Sequence, residues 1–319
     1  MTLPRFAWST RLLLALLLQD PTGAQSQKGI GSRLDRQFTG YASQPTTASE
    51  AKAAGWHPFS GSVCHDDVGT AWLFNANNKP GDFDRQHPVI LSFSAHGQLS
   101  AISVGYVFDS RLPAWAERMV ALEYLIRGGS IADDSVYTIT VGTRGKTPSG
   151  LCDDTEVFPE LLGTQLQINP GRNGQLIPLS NHTATVAGYH RGSCFNGMGW
   201  HYFKDLRAAP GGMTWDAANL MPVVPMYDPV NGNINAIFFA SAVVQQSLFP
   251  PNDNEWEPIP LPNSLMCGNF CDKASCTFNG TSAWSTMHFY FNDHNDAALR
   301  CTQSPEIQSC LLGIECCPN

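Results

Sequence analysis

Ala54-Gly55-Trp56-His57, leading into Gly61-Ser62-Val63-Cys64, recurs as Ala187-Gly188-Tyr189-His190, leading into Gly192-Ser193-Cys194. Each final cysteine is followed five residues later by a glycine, Gly69 or Gly199. Aromatic segments come next, Trp72-Leu73-Phe74 in one stretch and Trp200-His201-Tyr202-Phe203 in the other. A third block follows in the same order. Pro88-Val89-Ile90, Phe93 and Gly97-Gln98-Leu99-Ser100-Ala101-Ile102 parallel Pro222-Val223-Val224, Tyr227 and Gly232-Asn233-Ile234-Asn235-Ala236-Ile237. Self-similarity in fixed order is the mark of a copied structural unit.

The local chemistry of the two stretches agrees. Val89–Phe93 and Leu99–Val104 flank a turn at His96-Gly97, and Val223–Tyr227 and Ile234–Phe239 flank one at Asn231-Gly232. Both read as β-hairpins, because glycine and asparagine tolerate the positive φ of tight turns. Thr47 with Glu50 three residues on forms a capping-box pattern for a short helix that Gly55 ends. Pro113, Trp115, Met119, Leu122 and Leu125/Ile126 predict a second helix over 113–127, closed by Gly128-Gly129. Val136–Val141 is β-branched, and shorter strands are expected at 166–168 and 176–179. The last strand, Trp284–Phe291, faintly echoes Trp200–Phe203. The fold class expected is mainly β (a β-rich α+β chain): two pseudo-symmetric antiparallel β units with few short helices and a disulfide-stapled C-terminal tail.

The expected organisation starts with a signal peptide over 1–24. Arg5 and Arg11 flank the apolar run Leu12 to Leu18, and Thr22-Gly23-Ala24 is a small-residue cleavage site. A flexible, polar lead follows over 25–45. The first β unit covers 46–180, the second 181–260, and the Cys-rich tail 261–319. The segment Ile234 to Val244, interrupted by Asn235 and Ser241, is too short to cross a bilayer.

Ten cysteines suit an oxidising compartment. Cys267, Cys271, Cys276, Cys301, Cys310, Cys316 and Cys317 crowd the C-terminus, and Cys64, Cys152 and Cys194 lie upstream. Three upstream cysteines are an odd number, so at least one is expected to bridge to the tail. The pairing itself cannot be read from spacing. The spacing Cys267-x3-Cys271-x4-Cys276 is loosely zinc-like, but zinc ribbons use two tight pairs, and disulfides are the simpler reading in a secreted chain. Two sequons, Asn181-His182-Thr183 and Asn279-Gly280-Thr281, are candidate glycosylation sites.

The chain carries a formal charge of −8, with 14% charged residues. An acidic, charge-poor composition argues against nucleic acid, which requires clustered Lys and Arg, and against electrostatic docking on anionic membranes.

No nucleophile-elbow, kinase, zinc-protease or dinucleotide-binding motif occurs, so candidates for chemistry come from isolated histidines. His57 and His190 hold matching places in the repeat. If a pseudo-twofold axis brings them together they could ligate a metal, with Asp66 or Asp205 completing the set. The simpler reading gives both a hydrogen-bonding role in structure. Alternation along a strand puts His201, Phe203 and Asp205 on one face, so His201 and Asp205 form a candidate catalytic pair; the alternative is an exposed polar face. Trp284, Thr286, His288 and Tyr290 share another face. Of these, Trp284, His288 and Tyr290, together with Trp200 and Tyr202, are candidate binding residues for a carbohydrate or small apolar ligand. Cys64-His65 is not a nucleophile pair, because adjacent strand residues point to opposite faces.

The function expected is that of a secreted, disulfide-bonded glycoprotein with a ligand-binding or extracellular-matrix role. A secreted enzyme of unfamiliar fold using a His/Asp, metal-assisted site is the alternative. A defence or toxin protein ranks third, since no amphipathic insertion segment is present. The cofactor and ligand are left open.

Overall fold

The structure is a computed structural model. It describes residues 30–37, 41–59, 62–74, 88–108, 111–128, 133–145, 150–155, 162–172, 174–204, 214–243, 256–259, 277–279, 284–292 and 299–303. Segment 1–24, Asp205, Cys267, Cys271, Cys276, Cys310, Cys316 and Cys317 lie outside the described residues.

In chain order the elements are β1 (Asp35–Gln37), β2 (Tyr41–Ser43), α1 (Ala48–Ala53), β3 (Trp56–Pro58), β4 (Thr70–Phe74), β5 (Val89–Phe93) and β6 (Leu99–Tyr106). Then come α2 (Ala114–Ala121), β7 (Ile126–Gly128), β8 (Asp133–Gly142), β9 (Leu166–Ile168), β10 (Leu176–Ile177) and α3 (Asn181–Val186). The remainder is β11 (His190–Phe195), β12 (Gly199–Phe203), β13 (Thr214–Asp216), β14 (Val223–Tyr227), β15 (Ile234–Ser241), β16 (Glu257–Ile259), β17 (Thr277–Asn279) and β18 (Trp284–Tyr290). Single 3-10 turns occur at Ala217–Asn219 and Cys301–Gln303.

Two eight-stranded sheets organise the chain. The N-terminal sheet runs β10-β9-β8-β6-β5-β4-β3, with β7 also on β8. The C-terminal sheet runs β11-β12-β14-β15-β18-β1-β2, with β16 also on β18. The pairings within both are antiparallel, and β13 and β17 form a separate parallel pair. Among the described residues the chain is therefore β-rich with three short α-helices, as its alternating and β-branched segments predict.

The sheets share local devices at matching places. Thr47 caps α1 and Ser180 caps α3. The Ala48 amide donates to Gly97 O at 2.7 Å, and the Asn181 amide donates to Gly232 O at 2.8 Å. Leu99 N–H reaches Thr46 O at 2.9 Å, and Ile234 N–H reaches Leu179 O at 2.8 Å. Each helix N-terminus is thus tied to its own hairpin turn. Each hairpin carries a register shift at its end, between Ser92 and Phe93 in one and between Met226 and Tyr227 in the other. Gly69 and Gly199 have φ of 87° and 93°, and an added Cβ would lie 2.3 Å from Phe93 O and 2.2 Å from Tyr227 O, respectively. Glycine is required at both places by backbone sign and by close approach.

Antiparallel sheets commonly leave one face wet. Here every residue of β5, β6, β12, β14, β15 and β18 is buried. One continuous core includes side chains of both sheets. The Tyr106 hydroxyl donates to Ala240 O (3.1 Å), and its ring lies 4.9 Å from that of Trp256. Trp115 of α2 donates its indole N–H to Leu220 O (2.8 Å).

Two expectations need correction. The segment read as a flexible lead contains β1, which pairs with β18 on one side and β2 on the other, and Ile30 and Leu34 are buried. The edge of β18 offers a row of backbone donors and acceptors, and β1 fills it. The helix expected over 113–127 ends at Ala121. Glu123 takes a positive φ of 58°, and the amides of Tyr124 and Leu125 fold back onto Met119 O, so Ile126 enters β7 instead.

The tail is joined to the body as the odd cysteine count requires. Cys194 pairs with Cys301, and Cys64 pairs with Cys152.

Candidate functional site

The candidate site is a group of buried rings on one face of the C-terminal sheet. β12 brings His201, β15 brings Phe238 and β18 brings His288. Phe238 lies directly across the ladder from His288, and His201 lies across from Met226 of β14. The Phe238 ring centre is 5.6 Å from that of His201 and 5.1 Å from that of His288. Phe195 closes edge-on against His201 at 5.3 Å, and Tyr290 stacks beside His288 at 6.3 Å.

Strand alternation correctly puts these side chains on common faces, but not at a wet surface. His201 is 1% exposed and His288 2% exposed. The polar face expected at His201 is instead core. Both faces of the central strands are covered, and alternation in sequence cannot tell a covered polar face from a solvated one.

His201 Nδ1 lies 3.2 Å from both Ser193 O and Gly199 O. Carbonyls only accept, so Nδ1 carries the proton and Nε2 is left as an acceptor. Burial holds the His201 pKa down to about 4, only partly offset by the two carbonyls. Burial, with a smaller effect of His201, lowers His288 to about 3. Both rings are neutral near pH 7.

β16 completes the group. Glu257 stands opposite Thr286, and its Oε2 lies 3.5 Å from His288 Nδ1. That contact resembles an ion pair, yet burial pushes the Glu257 carboxyl up and the His288 imidazole down. Both shifts disfavour charge, and desolvation is the first cause of each, so a strong ion pair is not the resting state. The Glu257 side chain is 35% exposed, which makes it the wet end of an otherwise dry group.

The other sequence candidates fall elsewhere. His57 lies in β3 opposite Leu73, and His190 lies in β11 opposite Phe203. These are outer strands of different sheets. Among the described residues no group of three or more His, Cys, Asp or Glu side chains is gathered for a metal ion. Asp205, the intended partner of His201, lies outside the described residues. Trp200, Tyr202, Trp284 and Tyr290 are all buried. Trp200 takes Arg191 over its ring at 4.5 Å, and Tyr202 packs edge-on against Tyr227 at 5.0 Å. A ligand coming from solvent would reach these rings only by opening the sheet. Asn181 is half-buried at the start of α3, and the Thr183 hydroxyl of its sequon donates to Ser180 O at 2.9 Å. Asn279 lies in β17.

Glu257 was not singled out from sequence. It sits among Pro250, Pro251, Pro258, Pro260 and Pro262, a stretch that reads as a linker. Nothing local signals that it pairs with β18.

The N-terminal sheet is built from different side chains. Two residues after Gly69 stands Ala71, as His201 stands two after Gly199. Ser103 faces Thr140 across β6 and β8, as Phe238 faces His288 across β15 and β18. The small residues Ala71, Ser103 and Thr140 of one sheet thus contrast with His201, Phe238 and His288 of the other.

Comparison with protein-family models, with curated proteins and with solved structures finds no match in any of the three. Among the described residues no helix is long and apolar enough to cross a membrane.

Proposed function

We propose that this chain is a secreted, glycosylated protein built from two copies of one disulfide-closed β module, with a binding or matrix role outside the cell. The matched disulfides carry this reading. Cys64 lies between β3 and β4 and bridges to Cys152 beyond β8; Cys194 lies in β11 and bridges to Cys301 beyond β18. Each bond joins the beginning of a module to the segment after its last long strand, across separations of 88 and 107 residues. Such bonds persist in oxidising compartments. The Leu12 to Leu18 run behind basic residues and the sequons at Asn181 and Asn279 fit the same destination. The matching helix caps, turn glycines and register shifts support descent from one module.

The partner in this reading is extracellular, a carbohydrate or a small apolar molecule, or a neighbouring matrix component. Expression from the full reading frame in secreting cells tests the proposal. The medium should contain protein whose non-reducing peptide map shows Cys64–Cys152 and Cys194–Cys301 and whose mass falls on glycosidase treatment. Retention in the cytosol with free thiols at these positions would overturn it. A glycan array and a small-ligand thermal-shift screen separate binding from a purely structural role.

A second reading, a secreted enzyme, draws on Glu257 beside His288. A hydrolytic activity lost in both Glu257→Gln and His201→Ala would favour it.

A further inference from the structure

We propose that the C-terminal sheet is an acid-released half of the fold, opened by protonation of His201 and His288 on either side of Phe238. The N-terminal sheet, with Ala71 and Thr140 in the matching places, keeps its strand pairing. The proposal rests on the two-module reading only for the contrast between sheets; the acid response itself follows from the buried histidines.

The geometry supplies the mechanism. Of the described histidines only these two are buried. A buried imidazolium at His201 would face the rings of Phe195 and Phe238, and one at His288 those of Phe238 and Tyr290. Among the described residues, the groups facing the pair offer little compensation. Around His201 they are the Ser193 and Gly199 carbonyls and the Phe195 ring from its own and the adjacent strand, Phe238 from β15 and Met226 from β14. Around His288 they are Phe238 from β15, Tyr290 on β18 and Glu257 from β16. On β1, Asp35 stands opposite Tyr290, and Arg33 Nε already holds it at 2.5 Å. Among the described residues Glu257 is the remaining acid, and burial pushes its own carboxyl toward the neutral form, so it gives up charge as the imidazoles gain it.

In an open chain both histidines titrate near the ordinary imidazole value, about 6.5. In the closed sheet they titrate near 4 and 3. Between those limits the open form binds more protons, so acid favours opening. Two protons make the opening constant rise by up to about 100-fold per pH unit. Glu257 has the opposite sign, since its raised pKa lets the closed form hold a proton, and it offsets at most one of the two. The net rise is therefore about 10- to 100-fold per pH unit between pH 6 and 4.5. Cys194–Cys301 keeps the opened strands tethered, so closure should return on neutralisation.

Hydrogen exchange on the intact, oxidised protein at pH 7.5, 5.5 and 4.5, corrected for intrinsic rates, tests this. Peptides over Val223–Tyr227, Ile234–Ser241 and Trp284–Tyr290 should lose protection as pH falls, while those over Val89–Phe93 and Leu99–Tyr106 hold. The double variant His201→Ala/His288→Thr, which installs the N-terminal sheet's residues, should lower proton uptake on opening between pH 6 and 4.5 by about one to two protons and move the acid midpoint down. If that variant does not fold, the wild type alone decides. Its opening constant, from urea titrations at several pH values, should show uptake of one to two protons between pH 6 and 4.5. Simultaneous loss of protection in both sheets, an unmoved midpoint in the variant, or proton uptake near zero would each overturn the proposal.

Discussion

Ser103 and Thr140 share a buried hydroxyl–hydroxyl hydrogen bond of 2.7 Å across β6 and β8 of the N-terminal sheet, whereas β15 and β18 of the C-terminal sheet pair Phe238 with His288. One position is filled by two short groups that satisfy each other, the other by two rings that exclude water. Ser103→Ala removes this buried hydrogen bond and should cost about 0.5–1.5 kcal/mol. Urea unfolding at pH 7.5 measures it.

Phe238 separates the two imidazoles and also meets Phe203 edge-on at 6.3 Å. Truncation to alanine removes contacts in several directions, and the strands around it are fixed by their ladders. Phe238→Ala should lose about 3–5 kcal/mol, the usual range for a fully buried ring. Thermal unfolding followed by near-UV circular dichroism provides the readout.

Gly199 cannot accept a side chain. Its φ is 93°, and a Cβ would come within 2.2 Å of the Tyr227 carbonyl oxygen, a backbone atom fixed in β14. Gly199→Ala should destabilise by more than the roughly 1–2 kcal/mol of backbone strain alone, since the collision adds to it. Gly69→Ala should behave alike, because its Cβ would meet Phe93 O at 2.3 Å.

The capping box of α1 sets a second, weaker pH response. Glu50 Oε2 accepts from the Thr46 amide at 2.8 Å and from the Thr47 amide at 3.2 Å, and the Thr46 amide, its largest influence, lowers its pKa. A carboxyl held below its ordinary value contributes stability that is present above the unfolded pKa, about 4.3, and is lost as pH falls through the lower folded value. Glu50 is exposed, so screening keeps this contribution small. Thr47→Ala should cost about 1 kcal/mol at pH 7. Glu50→Gln should flatten the pH dependence of melting only on the acid side of the carboxyl range.

Removing Cys194–Cys301, by replacing both cysteines with serine, should cost about 2–5 kcal/mol, as for other native bridges closing long loops. The loss should be concentrated in the C-terminal sheet, because Cys194 lies in β11 and Cys301 follows β18. Comparing the melting of this variant with that of the Cys64/Cys152 variant checks the assignment.

The hairpins at His96-Gly97 and Asn231-Gly232, the Thr47–Glu50 capping box and the pairing of faces along β12 and β18 were all legible in sequence. Each depends on residues within a few positions of one another, where backbone sterics and side-chain period decide the outcome. The bond from an upstream cysteine to the tail was legible too, from parity alone. The choice of Cys152 for Cys64 and Cys301 for Cys194 was not, because pairing depends on which strand ends meet in space. For the same reason β1 could not be read into the slot beside β18, nor Glu257 onto His288 from within a proline-rich stretch. Alternation tells which side chains share a face, but only the packing of the whole chain decides which faces are dry. That decision turned His201 and His288 from surface candidates into neutral, buried rings.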